Sequence, residues 1–364
     1  MTLLGEHPTI RFQAPGTATA PAPAEWRGRA RDEVRLLVAR PDGVVHSRFR
    51  DLPAHLGRGD LLVVNDSATE ARELDATLVG RGPVVLHLAQ PLADGTWAVE
   101  LRTAPDARRA VLDAAVGDVL TSGRVRLTLT APYPGSASSP TGHGNRLWRA
   151  ATSGDVAARL RRHGRPIAYG YLDRPYPLAA YQSVFGVRPG SAEMPSAGRP
   201  FTAELVAALV ARGVQVAPIT LHTGVSSQEA GEAPLPVWFE VTPTTARLVR
   251  ETKAAGGRVV AVGTTVTRAL ESAVTGPGSV PGTVPGTVPG TVGPARGWTD
   301  RVVSPERPPV VVDGLVTGWH DPQASHLLLV EAVAGRSLAQ RAYDEAVAEG
   351  YLWHEFGDAA LLLP

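Results

Sequence analysis

The chain has 364 residues, no cysteine, and a formal charge of +1 from 36 basic and 35 acidic side chains. At about 150 residues per domain, this length predicts roughly two domains, with a core large enough to need no covalent staples. The lack of cysteine excludes disulfides, thiolate metal sites and cysteine nucleophiles. The balanced charge argues against a nonspecific nucleic-acid coat but leaves room for a local basic face. Lys253 is the single lysine, so a Schiff base has one candidate. Apolar runs stop short of the ~18 residues of a membrane span, and the first ten residues, with Glu6 and His7, lack a secretion signal. A cytoplasmic monomer is expected.

Residues 14–24, APGTATAPAPA, read as a weakly structured lead-in. VRLLVA and VVHSRF then flank Pro41-Asp42-Gly43, the pattern of a hairpin. LLVV at 61–64 reads as a short buried strand ending on Asn65-Asp66, either a turn or the rim of a site. From 73 to 149 short strand-like runs alternate with Gly, Asp and Pro, which predicts a small antiparallel barrel. Helices are expected at 154–164, at 201–213 with Thr202 as cap and Gly213 as stop, at 242–256 and at 264–273. The strands VQVAPITLH and RVVAVG fall between them, and alternation continues to the end of the chain. The expected architecture is an α/β domain of residues 1–72 and 150–364, interrupted by a β-barrel domain at 73–149. The tetrads PGSV and PGTV at 277–292 place proline every fourth residue, which blocks helix and ladder alike and predicts a flexible surface loop.

Four loops and one basic stretch carry candidate chemistry. Gly263-Thr264-Thr265 opens a helix after a strand, where free N–H groups suit a carboxylate or phosphate. Arg268 and Glu271 share a face of that helix, which equally describes an ordinary capped helix with a surface ion pair. Arg188, Glu193 and Arg199 lie in Pro-Gly-rich turns that read as a ligand loop or a connector. His222 and Gly224 close the strand ending ITLHTG, and Asp313 and His320 bracket DGLVTGWH. Each histidine taken singly reads as core or rim, or as a proton-transfer group. No HExxH or HxH pattern occurs, so no metal is expected. Arg159, Arg161, Arg162, Arg165 and Arg174 interleave with tyrosines, which suits either nucleic acid or a solvated helix.

The segments GDLLVVND (59–66), YQSVFGVRPGSAEMPSAGRPFT (181–202), ITLHTG (219–224), VGTTVTRALES (262–272), VVDGLVTGWHDPQASHLLLVEAVAG (311–335) and AYDEAVAEGYLWHEFGDAALLL (342–363) occur in that order. Together they resemble the S-adenosylmethionine:tRNA ribosyltransferase-isomerase family of queuosine biosynthesis. The resemblance implies an α/β domain with an inserted barrel. It also implies S-adenosylmethionine as a consumed ribosyl donor and, as acceptor, a tRNA bearing 7-aminomethyl-7-deazaguanine at the wobble position. Epoxyqueuosine, adenine and methionine would be the products. His222, His320, Glu193 and Asp313 then become catalytic candidates. Arg188, Gly224, Thr264, Thr265 and Arg268 become donor-binding candidates, and Arg159, Arg161, Arg162, Arg165 and Arg174 candidates for the tRNA.

The chain departs from the family's pattern in four places. Asn65-Asp66-Ser67-Ala68 replaces Asn-Asn-Thr-Arg, Pro200 replaces a histidine, residues 225–229 replace a glycine-rich loop, and Gly318-Trp319-His320 replaces Asn-Phe-His. These departures keep two alternatives open: a related enzyme acting on a small-molecule acceptor, and a noncatalytic RNA-binding module.

Overall fold

The computed structural model describes all residues except 1–3, 15, 17, 136–142, 227–230, 276–289 and 323. Strands β1 (Arg35–Arg40) and β2 (Gly43–Arg48) form the expected hairpin, with Val38 opposite Val45. β3 (Leu61–Asn65) is buried along its whole length, and the short β4 (Ser67–Thr69) leads out of the domain.

Six strands then close a barrel: β5 (Glu73–Leu78), β6 (Gly82–Pro91), β7 (Trp97–Thr103), β8 (Val119–Ser122), β9 (Val125–Pro132) and β10 (Leu147–Ser153). The last strand runs past residue 149, where the sequence suggested the barrel ends. Helix α1 (Val156–His163), capped by Asp155, lays Val156 and Leu160 against the barrel core.

The chain returns through β11 (Arg188–Ser191), which pairs with β4, and α2 (Ala203–Ala211). The Thr202 hydroxyl accepts from Leu205 N–H, and Gly213 adopts φ 86° just past the helix. β12 (Gln215–Leu221), β13 (Val237–Val241), α3 (Pro243–Ala254), β14 (Val259–Val262), α4 (Thr264–Ser272), β15 (Ala295–Thr299) and β16 (Gly314–Gly318) follow. Then come α5 (His326–Ala334), α6 (Arg336–Ala348) and β17 (Ala359–Leu362). Among the described residues these strands make one nine-stranded sheet in the order β15-β13-β12-β3-β14-β16-β17-β1-β2.

β12, β3, β14 and β16 run parallel and are apolar on both faces, as strands covered on two sides must be. Apolar residues of α3, α4, α5 and α6 pack on one face, including Val249, Val266, Leu327 and Tyr343. Phe49, Leu52, Phe201, Leu205 and Leu209 fill the other. The expected fold class, an α/β domain with an inserted antiparallel barrel, is the one observed. No strand is expected from the sequence at 359–362, yet β17 lies between β16 and β1, antiparallel to the first and parallel to the second. Of the tetrad repeat, residues 277–289 lie outside the described residues, while Val292 is buried and bridged to Val274.

Charge is concentrated inside one end of the barrel. Fully buried His87 binds Glu73 at 2.8 Å through Nε2 and Glu100 at 3.2 Å through Nδ1. Glu100 also accepts from Arg102 at 2.7 Å and Arg146 at 3.0 Å, and Arg146 reaches on to Glu232. Burial alone would strip the charge from His87, but the two glutamates raise its pKa. Burial opposes ionisation of Glu100 too, and its cationic neighbours, Arg146 first, overcome that and hold its pKa low.

Removing one member of such a group strands the others in a low-dielectric interior. Glu100→Gln is therefore expected to lower barrel stability by about 3–5 kcal/mol, read as a shift of the urea unfolding midpoint. An unchanged midpoint would show that the cluster contributes nothing to the fold.

Candidate active site

A cleft of about 710 Å³ opens at the carboxyl ends of β12, β3, β14 and β16, where parallel α/β sheets bind ligands. Its position follows from Asn65, the last residue of β3. The Asn65 carboxamide oxygen accepts from Leu221 N–H at 3.0 Å and Ser67 N–H at 3.1 Å. Its Nδ2 donates to Leu221 O at 2.9 Å and Thr265 Oγ1 at 3.4 Å. One side chain thus holds the end of β12, the exit from β3 and the first turn of α4.

The structure brings six of the expected residues to this cleft: Glu193, Gly224, Thr264, Thr265, Arg268 and His320. Gly263, at φ 92°, turns the chain from β14 into α4, and no side chain caps that helix. Its first-turn amides therefore face the cavity unshared. One turn on, the Arg268 guanidinium is pinned by main-chain carbonyls. Nε donates to Arg301 O at 3.1 Å, and Nη2 donates to Leu235 O at 3.1 Å and Thr299 O at 3.4 Å. Burial lowers its pKa to about 10, still a cation at neutral pH. The ion pair with Glu271 suggested by their spacing is absent. Glu271 is buried and accepts instead from the amides of Val310, Val311 and Val312.

Glu193 collects the Tyr169 hydroxyl, the Ser226 hydroxyl and Ser226 N–H, the last at 3.1 Å. Tyr169 also lies over Arg102 at 4.9 Å and edge-on to His87 at 5.7 Å, joining the barrel's charged end to the cleft wall. His320 Nε2 meets Thr317 Oγ1 at 3.1 Å, and its ring stacks on His326 at 4.8 Å. Burial drives His320 well below the ordinary histidine range and His326 down to about 4, so both are neutral imidazoles near pH 7.

Three expected site residues lie elsewhere. Asp313 precedes β16 at the opposite end of the sheet, bound to Lys253 at 2.5 Å and Val259 N–H at 2.8 Å, so its carboxylate cannot reach the cleft. Arg188 is exposed and shared between Glu240 at 2.5 Å and Thr220 at 2.8 Å. His222 points away from the cleft, stacked on Trp238 at 5.3 Å, with Nδ1 2.8 Å from Ser67 Oγ. A Cβ on Gly190 would come within 2.5 Å of that imidazole, so only glycine leaves room for it.

The basic stretch divides as well. Arg159 donates to Ser122 Oγ at 3.1 Å, Arg165 is held by Glu73 and Asp75, and Arg174 covers Tyr176 at 5.4 Å. Arg161 and Arg162 are exposed in the last turn of α1.

Sequence reasoning missed Glu355, His326 and His354 on the cleft wall. Glu355 Oε2 is buried without a hydrogen-bond partner. Burial first, and then the nearby Glu193 carboxylate, push the Glu355 pKa up to about 8. Tyr171, on the same wall, stacks on His354 at 5.0 Å. Among the described residues no group of three or more histidine and carboxylate side chains is arranged to hold a metal.

Fold and cleft together define an α/β protein with an inserted barrel and a nucleoside-sized site at the strand ends. Known proteins of this build specify it further. A model of the queuosine biosynthesis protein family matches residues 8–362. The chain is 36% identical over 352 residues to an S-adenosylmethionine:tRNA ribosyltransferase-isomerase of Acidiphilium cryptum, covering 92% of this chain and 93% of that one. It is 34% identical over 363 residues to the protein of the same name from Gloeobacter violaceus, covering 97% and 94%. The crystal structure of an S-adenosylmethionine tRNA ribosyltransferase from Thermotoga maritima aligns with a TM-score of 0.51 at 26% identity, covering 97% of this chain and 99% of that one. The chain belongs to the queuosine biosynthesis protein family.

The raised Glu355 pKa has a measurable sign. The folded protein holds a proton that the unfolded chain releases, so this carboxyl's contribution to stability falls as pH rises from 4.5 to about 8. Glu355→Gln is expected to flatten the decline of the thermal midpoint over that window. Glu193→Gln should move the Glu355 titration, followed by carboxyl NMR, to lower pH. A Glu355 midpoint in the ordinary glutamate range would contradict the description of this wall.

Proposed function

We infer that this chain is an S-adenosylmethionine:tRNA ribosyltransferase-isomerase of queuosine biosynthesis. The reaction transfers and isomerises the ribosyl part of S-adenosylmethionine onto 7-aminomethyl-7-deazaguanine at the tRNA wobble position. Epoxyqueuosine forms, and adenine and methionine leave. The observation that carries this reading is the half-buried Arg268 beside the uncapped first turn of α4. Arg268 Nη1 has no hydrogen-bond partner among the described residues, and the side chain lines a cleft large enough for a nucleoside. A half-buried cation pinned beside free helix amides calls for an anionic end on the ligand, and the donor's α-carboxylate supplies one.

Thr264 and Thr265 orient that end through their amides, and Gly224 lets the ligand approach the backbone. The donor's sulfonium acidifies its neighbouring C5′ hydrogen, so the site must offer a proton acceptor. Neutral His320, anchored by Thr317, fits that role better than His222, whose ring points away from the cleft. Arg161, Arg162 and Arg174 are the members of the basic stretch left exposed for tRNA phosphate. No helix among the described residues is long and apolar enough to cross a membrane, which is consistent with work on tRNA in the cytoplasm.

Incubation with S-adenosylmethionine and precursor-bearing tRNA is expected to release adenine and leave epoxyqueuosine in the RNA, both read by mass spectrometry. Absence of adenine with a verified modified tRNA would overturn the assignment. Adenine release with the free base but not the tRNA would identify a small-molecule acceptor instead. Arg268→Lys keeps the charge but loses the fork, and should raise KM for S-adenosylmethionine on the order of tenfold.

A further inference from the structure

Glu193 and Glu355 face one cleft from two distant parts of the chain, and their surroundings treat them differently. Glu193 arrives on the loop after β11 and is saturated by donors from Tyr169 and Ser226. Glu355 arrives on the turn before β17, and its Oε2 is buried with no donor at all. A buried acceptor without a donor is costly, and such groups are retained where a ligand completes them. The other ionisable groups facing Glu355 are the hydroxyls of Tyr171, which hydrogen-bonds the carboxyl and leaves Oε2 without a partner, and Tyr181; neither is cationic. His354, the residue before it, leans on Tyr171 and lies 3.6 Å from Asp321. This wall therefore presents two carboxyl groups to the cavity, and although Arg268 and Arg301 also line the cleft, neither acts on the Glu355 carboxyl as Glu193 does.

We propose that Glu355 and Glu193 form a subsite for a primary ammonium group, and that Glu355 Oε2 takes its proton. A sulfonium also carries positive charge, but it has no N–H to offer the partnerless oxygen, so the geometry favours an amine; the donor's own α-ammonium sits on the carbon bearing the carboxylate assigned to Arg268, which leaves this wall to a different amine. Under the function inferred above, on which this assignment of the ligand rests, the amine is the aminomethyl group of the acceptor base. That nitrogen must lose a proton before it can attack the sugar. In the step, the N–H bond breaks, an O–H bond forms at Glu355 Oε2, and the electron pair stays on nitrogen as the nucleophile. Charge balances: ammonium and carboxylate become amine and carboxylic acid. Before the ligand arrives, Glu355 holds a proton near neutral pH, so entry of the ammonium displaces that proton to solvent.

The test uses the free base 7-aminomethyl-7-deazaguanine and its 7-methyl analogue as probes, with the full chain, by calorimetry in buffers of different ionisation enthalpy. The wild-type protein is expected to favour the amine on the order of tenfold or more, and to release close to one proton per amine bound at pH 7. Glu355→Gln, which keeps the side chain's shape, should reduce the preference to less than about threefold and abolish the proton release. Glu193→Gln should weaken the preference and leave less proton to release, because Glu355 then titrates lower. Equal binding of both probes to wild type, or undiminished preference and release in Glu355→Gln, would overturn the subsite. Adenine release assayed on the same wild-type preparation separates the two inferences. Amine preference without adenine release refutes the proposed reaction and leaves the subsite standing. Adenine release without amine preference refutes the subsite alone.

Discussion

At the end of β3 the polypeptide must leave a buried parallel sheet while two neighbouring segments also end there. Each exposes main-chain groups that the sheet no longer satisfies. The Asn65 carboxamide answers this with two accepted and two donated hydrogen bonds, tying β12, the β3 exit and α4 to one point. A side chain of either sign would satisfy only donors or only acceptors, so an amide is the group that meets both. The open first turn of α4, the Gly224 backbone and the pinned Arg268 are all placed relative to that junction. Without it the strand ends would be a collection of loops rather than one wall.

The barrel contributes more than bulk to this arrangement. Its buried charges are paired with one another, and Tyr169 links that paired end to Glu193. The cleft is therefore lined by the α/β domain on one side and braced by the barrel on another. Among the described residues the closed barrel leaves no strand edge open, and α1 beside it presents Arg161 and Arg162 at the surface. Of five arginines in that stretch, two are spent in hydrogen bonds or ion pairs with the barrel and one lies over a tyrosine ring. The surface offered to RNA is thus narrower than a count of charges suggests.

Much of the architecture was legible because its signals are local. The Pro-Asp-Gly turn announces the β1–β2 hairpin, Thr202 and Gly213 bracket α2, and evenly spaced short strands announce the barrel. The glycine before Thr264 likewise marks the loop that opens α4. What escaped is what depends on partners far away in sequence. AALL at 359–362 carries no alternation, because β17 is covered on both faces, so periodicity gives no sign of its strand. Glu355 looks like one more charge near the end of the chain, and only the fold sets it opposite Glu193. Asp313 and His222 illustrate the converse: both sit beside the right motifs, but one falls at the wrong end of its strand and the other on the wrong face. Motif proximity locates a segment, whereas strand direction and side-chain parity decide whether a residue reaches the ligand.

The placement of β17 bears on the order in which the molecule can be built. Among the described residues the hairpin of residues 35–48 joins the rest of the large sheet only through residues 359–362. Until the ribosome has delivered that late segment, the early hairpin has an unpaired edge and nothing to complete it, a separation in sequence that slows folding. The same segment brings Glu355 to the cleft. A chain caught before this closure would therefore lack both a continuous sheet and one wall of its site, so a partly made protein cannot sequester its ligands.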